Sequence, residues 1–191
     1  MTVQTDSLSE YRYKSATNRL GLWLFIISDA FLFGGLLVSR FYLFGGTRPE
    51  LLQPLGLVVT AILLVSSFFM NRAETAMAHG DQATFLRGTL ITLVLGVLFL
   101  IGVVGVEWQI APFTAGENAM SSMFFTMTGF HAFHVLTGVI FLFIVYRNGR
   151  KGLYTAERHF PVEAAAVYWH FVDVVWVFFY PALYLMGVVA G

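Results

Sequence analysis

Long apolar runs separated by short polar connectors set the pattern of this chain. Five of them, at about residues 20–44, 51–70, 88–106, 119–146 and 162–189, are long enough as helices to cross a hydrocarbon layer. A rise of 1.5 Å per residue makes about 20 residues sufficient for about 30 Å. The second and third runs are free of charge, and Pro54 falls in the first turn of the second, where its missing N–H leaves no bond unmade. Pro181 predicts a kink in the fifth run. No internal repeat, low-complexity tract or soluble domain interrupts the series. The polar residues 1–19 lack the apolar core of a signal peptide, so an uncleaved cytoplasmic segment is expected. The expected fold is all-α: one integral membrane bundle of five transmembrane helices over residues 20–191.

Composition strengthens this reading. The chain is 58% hydrophobic and 12% charged, against about 25% charged for soluble domains. Eleven basic and eleven acidic residues give no net charge, so no nucleic-acid partner is expected. The absence of cysteine excludes disulfides, thiolate metal sites and cysteine nucleophiles.

The basic residues predict the topology. One side of the five runs carries Arg12, Lys14, Arg19, Arg72, Arg87, Arg147, Arg150, Lys151 and Arg158, and the other only Arg40 and Arg48. By the positive-inside rule the N-terminus is cytoplasmic and the C-terminus outside. Residues 107–117 carry no Lys or Arg, as an exported loop should. Trp108 and Tyr184 at the outer edge, with Tyr146 and Tyr154 at the inner one, fit aromatic belts.

Against this apolar background a few ionisable groups stand out. Counted from the inner helix ends, Asp29 lies roughly 13 Å deep, His170 roughly 12 Å, Asp173 roughly 16 Å, His134 roughly 18 Å and His131 roughly 22 Å. Three helices thus place polar groups in one band near the midplane. His170 and Asp173 are three residues apart and share a helix face. A charge at such depth costs a few kcal/mol or more, so these groups must face protein, water or a partner charge. Three roles are open: hydrogen bonds that fix helix packing, a proton or ion path, and ligation of a metal or haem by the histidines. Residue type favours packing over the proton path, and that over metal, because the spacing His131-x-x-His134 is not specific.

Other features weigh less. Ala30-x-x-x-Gly34 is a small-xxx-small contact of the kind that lets helices approach closely. Glu107, at the outer end of the third run, reads as an interfacial carboxylate paired locally. Arg147, Arg150 and Lys151, just inside the fourth run, either hold anionic lipid head groups or only set topology. His79 in a short charged loop reads as solvated. No phosphate loop, nucleophile elbow or H-E-x-x-H motif occurs.

Beyond residue chemistry, five stretches resemble subunit III of the haem–copper oxidases, in its short five-helix bacterial form. They are LFIISDAFLFGG at 24–35, VEWQIAPFT at 106–114, GFHAFHVLTG at 129–138, HFPVEAAA at 159–166 and YWHFVDVVW at 168–176. They are collinear and span nearly the whole chain. The resemblance implies an accessory chain without a redox centre, packed on subunit I beside subunit II, which hold the haem and copper. It further implies bound phospholipid, support of proton uptake, and residence in the bacterial cytoplasmic (inner) membrane. It assigns Asp29 to the family's intramembrane carboxylate, and Glu107, His131, His134, Glu163, His170 and Asp173 to its other intramembrane or interfacial polar positions. Arg147 falls at a basic position suited to a lipid phosphate, with Arg150 and Lys151 beside it. No catalytic residue or metal ligand is expected in this chain.

Two departures qualify the resemblance. Seven-helix members have two further helices before the position of Leu20, so part of the lipid cleft is absent here or supplied by another chain. Asp29 stands where those members usually have glutamate and where quinol-oxidase members tend to have aspartate. Residues 111–114 (APFT) and the Tyr168-Trp169 pair look more like cytochrome c oxidases, which is the favoured reading. A quinol-oxidase subunit III or an accessory chain of nitric oxide reductase is the alternative. A more distant one is an independent proton-coupled transporter, which would call for an inverted repeat and broken helices.

Overall fold

Five long helices carry the fold, and each begins where a side chain caps the backbone or a proline fits the first turn. The computed structural model describes residues 7–189; residues 1–6 and 190–191 of the expected N-terminal segment and bundle lie outside it. Helix α1 covers Leu8–Phe44, α2 Gln53–Ala78, α3 Gln82–Ile110, α4 Ala119–Arg150 and α5 Phe160–Leu185. All five are long and apolar enough to cross a membrane, as the apolar runs predict.

The helices outrun the apolar stretches because backbone hydrogen bonding continues into polar sequence once an end is capped. Ser7 accepts from the Glu10 N–H, and Lys14 pairs with Glu10 one turn on, so the polar residues from Leu8 to Arg19 are the first turns of α1. Asp81 accepts from the Thr84 N–H at 3.0 Å to start α3. Asn118 and Ser121 cap each other reciprocally at the head of α4. Pro54 and Pro161 occupy the first turns of α2 and α5.

Two helices widen into π-helix near the same end of the bundle. In α3 the π segment is Ile101–Glu107, and its wider turn keeps Phe99, Val103 and Glu107, spaced by four, on the buried face. In α5 it is Pro181–Leu185, where proline removes the N–H that an α-helix would need. At Pro181, where a kink is expected from the sequence, the helix widens into this π segment.

α5 is the centre of the bundle. In its most apolar window 61% of residues are buried, against 11% in α1. Trp169 is fully buried and lies against Gly96 of α3 and Gly138 of α4. A Cβ at Gly96 would stand 2.5 Å from the indole, so the glycine is what lets Trp169 into the seam. At the end away from the N-terminal segment, strands β1 (Thr47–Arg48) and β2 (Val188–Val189) pair in parallel and tie the α1–α2 connection to the chain after α5. This is called the far end below; the other, which carries nine of the eleven Lys and Arg residues, is the basic end.

Candidate functional site

The ionisable groups of the apolar layer do not gather into one site. They separate into pairwise contacts at three helix seams. Between α1 and α4, Asp29 Oδ2 stands 3.5 Å from His134 Nε2. His134 Nδ1 lies 2.7 Å from the Phe130 carbonyl. A carbonyl only accepts, so Nδ1 carries the proton and Nε2 is left to face the carboxyl group. The pair opens on a lateral concavity of about 380 Å³ lined by Leu22, Phe25, Phe133, Thr137 and Tyr168.

His131, one turn before His134, points the other way, into the core. It is fully buried, and its Nε2 donates to the Val172 carbonyl of α5 at 3.0 Å. Trp176 and Phe99 enclose the ring at centroid distances of 4.9 and 5.5 Å. The two histidines therefore serve different seams.

His170 and Asp173 do share a face, towards Ser67 of α2. The partner of the imidazole is the serine, not the carboxylate: His170 Nδ1 and Ser67 Oγ are 2.6 Å apart. Asp173 is buried with neither oxygen in a hydrogen bond of ordinary length, although Ser67 stands close by. Among the described residues, no three His, Asp or Glu side chains gather where a metal could be held.

Glu163 and Glu107 mark opposite ends of the bundle. Glu163, in the first turn of α5, pairs with Arg19 of α1 at 2.7 Å. Glu107, 2% exposed, accepts the Tyr184 hydroxyl hydrogen bond, and Gln53 of α2 donates to the Tyr184 carbonyl at 2.9 Å. Tyr184, in the last turn of α5, is thus enclosed by protein because it closes the α3–α5 seam. Tyr154 is buried as well, packed edge-on against Phe85, and burial pushes its phenol pKa up. Ala30 and Gly34 bring no helix close. Nothing lies within 4 Å of a Cβ at Gly34, and both residues line an apolar groove against Phe171 and Phe178. His79 is exposed and closes the last turn of α2 by bonding the Thr75 carbonyl.

Several polar contacts are not visible in the residue pattern. Trp169 donates to Ser66 and Trp176 to Thr60, each at 2.9 Å, and Trp108 donates to Thr128 at 3.1 Å. Each bond joins two helices. The signal available was the presence of Ser66, Ser67 and Thr60 in an otherwise apolar run. Arg40 is 1% exposed and donates to the Thr47 carbonyl at 2.5 Å, so this basic residue of the far end is enclosed by protein. At the basic end Arg147, Arg150 and Lys151 surround an open concavity of about 420 Å³ with Phe143 and Tyr146.

This arrangement can lock helices together, hold a carboxyl–imidazole pair beside a lateral concavity and gather three cations around another. Comparison with known proteins gives it a place. Residues 12–188 match the family model described as cytochrome c oxidase subunit III. The chain is 37% identical over 182 residues to cytochrome c oxidase subunit 3 of Equus caballus, covering 88% of this chain and 69% of that protein. The subunits of Dasypus novemcinctus and Bos taurus match at the same identity and coverage. A match along nearly the whole sequence, through all five helices and the seams they form, places this chain in the cytochrome c oxidase subunit III family.

Proposed function

We propose that the chain is the accessory subunit III of a proton-translocating haem–copper terminal oxidase of the cytochrome c type in a bacterial cytoplasmic membrane, with its basic end in the cytoplasm. It holds no redox centre; haem and copper belong to subunits I and II, and this chain packs on subunit I. The observation that carries the reading is the use made of the family's polar positions. His131, His170 and Glu107 are each bonded to a neighbouring helix, as a rigid supporting subunit requires. Asp29 and His134 are placed differently, beside a lateral concavity, and are the pair through which the subunit supports proton uptake.

Arg147, Arg150 and Lys151 have the makings of an anionic phospholipid site. Three cations ring the concavity while Phe143 and Tyr146 offer apolar surface for the chains below. The cytoplasmic placement of this end rests on the excess of Lys and Arg there.

The test is gentle detergent purification through a tag on this chain, with an optical spectrum and mass identification of the accompanying subunits. Haem bands with a copper-bearing subunit II are expected. A copper-free subunit II would move the reading to a quinol oxidase, and a colourless chain recovered alone would overturn it. In the intact complex, Asp29→Ala is expected to assemble normally and to lose activity faster during turnover. An unchanged turnover lifetime would remove Asp29 from proton uptake.

A further inference from the structure

The lateral concavity beside Asp29 and His134 is rich in hydrogen-bond acceptors and has no donor to spare. Both side chains reach it, keeping 16% and 12% of their surface accessible. His134 spends its ring N–H on the Phe130 carbonyl, which leaves Nε2 as an acceptor. Thr137 and Tyr168 stand 2.8 and 3.1 Å from the His134 carbonyl and 2.7 Å from each other. Whichever way their two hydroxyl hydrogens turn, both are used within that triangle, and lone pairs are what remain. An ionised Asp29 only accepts. A proton on it has Nε2 to turn to, 3.5 Å from Oδ2.

The walls are apolar and mostly aromatic. Phe25, Phe133 and Phe141 line the space, and Phe25 stacks on Tyr168 at a centroid distance of 6.2 Å. Phe25 and Phe133 are 48% and 61% exposed, so flat ring surface stands open at the mouth. No Lys or Arg lines the space. Aromatic walls around a few convergent polar groups, in a space of about 380 Å³, are the usual form of a small-molecule site.

This chemistry selects among the molecules a membrane offers. A phosphate head group meets a carboxylate and no cation here. An acyl chain leaves every polar group of the space unused. A quinone presents carbonyl oxygens, which only accept and so find no donor. A hydroquinone presents two O–H donors on a flat ring that carries an apolar tail.

We propose that this concavity binds the head of a lipophilic hydroquinone. One hydroxyl donates to Asp29 or to His134 Nε2, the ring lies against Phe25 and Phe133, and the tail leaves between α1 and α4. Binding alone is proposed, with no electron transfer. The inference rests on the reading of Asp29 and His134 as a functional pair, and it names what that pair receives.

The experiment is photolabelling of the purified full chain, with whatever subunits accompany it. The probe is a decyl hydroquinone with a diazirine in its tail, used under anaerobic conditions, and labelled peptides are read by mass spectrometry. Label is expected on the stretches of α1 and α4 that line the concavity. Unlabelled decyl hydroquinone should protect them at a concentration at least about tenfold lower than decyl quinone, dodecanol or dodecylammonium, which lack the donors or the ring. Asp29→Asn, which keeps the side-chain shape, and Phe133→Ala, at the exposed rim, should each raise the protecting concentration; circular dichroism confirms that both variants are folded. Equal protection by the quinone would overturn the proposal, and so would equal protection by the ringless alcohol or amine. Label confined to other sites, or unchanged protection in Asp29→Asn, would also overturn it. The turnover lifetime of Asp29→Ala tests proton uptake separately, so either reading can fail without the other.

Discussion

Trp169 shows how single residues hold this bundle. Its indole is buried between α3 and α4 and donates to Ser66 on α2, so one side chain from α5 touches three other helices. Gly96→Leu would drive a side chain into the ring; overpacking of this kind costs about 1–3 kcal/mol. A lower melting temperature with unchanged helix content is the expected result, read by circular dichroism on the purified protein. Asp81 makes a pH prediction. The Thr84 hydroxyl and backbone N–H hold its carboxyl below the ordinary 3.8. A depressed folded-state pKa means that the cap stabilises α3 above the ordinary carboxylate range and is lost as pH falls through the folded value. Asp81→Ala should therefore melt lower than wild type at pH 7, and the gap should narrow as pH drops below 3.8. A gap that stays constant down to pH 3 would show that the charge is not what caps the helix.

Among the elements, α1 stands apart. It touches the bundle through Phe33, which meets His134 at 4.8 Å and Phe179 at 5.7 Å, through the Asp29–His134 pair and through the Arg19–Glu163 bridge. Most of its large apolar side chains, Trp23, Phe31 and Tyr42 among them, are exposed. A helix with so few buried contacts opens more readily than its neighbours. Hydrogen exchange of the chain in detergent is expected to be fastest in α1 and slowest in α5; equal protection would contradict this. Arg19→Ala should speed exchange in the first turns of α1 only, because an exposed ion pair contributes little, at most about 1 kcal/mol.

At the scale of the molecule, the bundle has a basic end and an end closed by backbone pairing. Gly187 has φ of +107°, and a Cβ there would strike the Gly46 carbonyl, so only glycine lets β2 lie beside β1. Gly187→Ala should separate the strands and destabilise the far end by about 1–3 kcal/mol. Thermal melting of the purified protein checks this. The chain covers 69% of its horse relative, so about a third of that protein has no counterpart in the aligned residues. The exposed face of α1 is where this chain offers the most unburied apolar surface.

How far the sequence reached depended on range. Five helices were legible because an apolar run of about 20 residues has few other stable states. The collinear motifs identified the family, and the identification held along residues 12–188. The shared face of His170 and Asp173 followed from helical periodicity. Their bonding did not: that His170 meets Ser67, that His131 turns to Val172 while His134 turns to Asp29, and that Tyr184 reaches Glu107 all depend on which helices are neighbours. That Arg40 is enclosed by protein depends on the same neighbours. Hydropathy and periodicity are local and settle what each segment is. Partners across a seam lie dozens of residues apart, and only the packing of the five helices, around a tryptophan that two glycines admit, decides them.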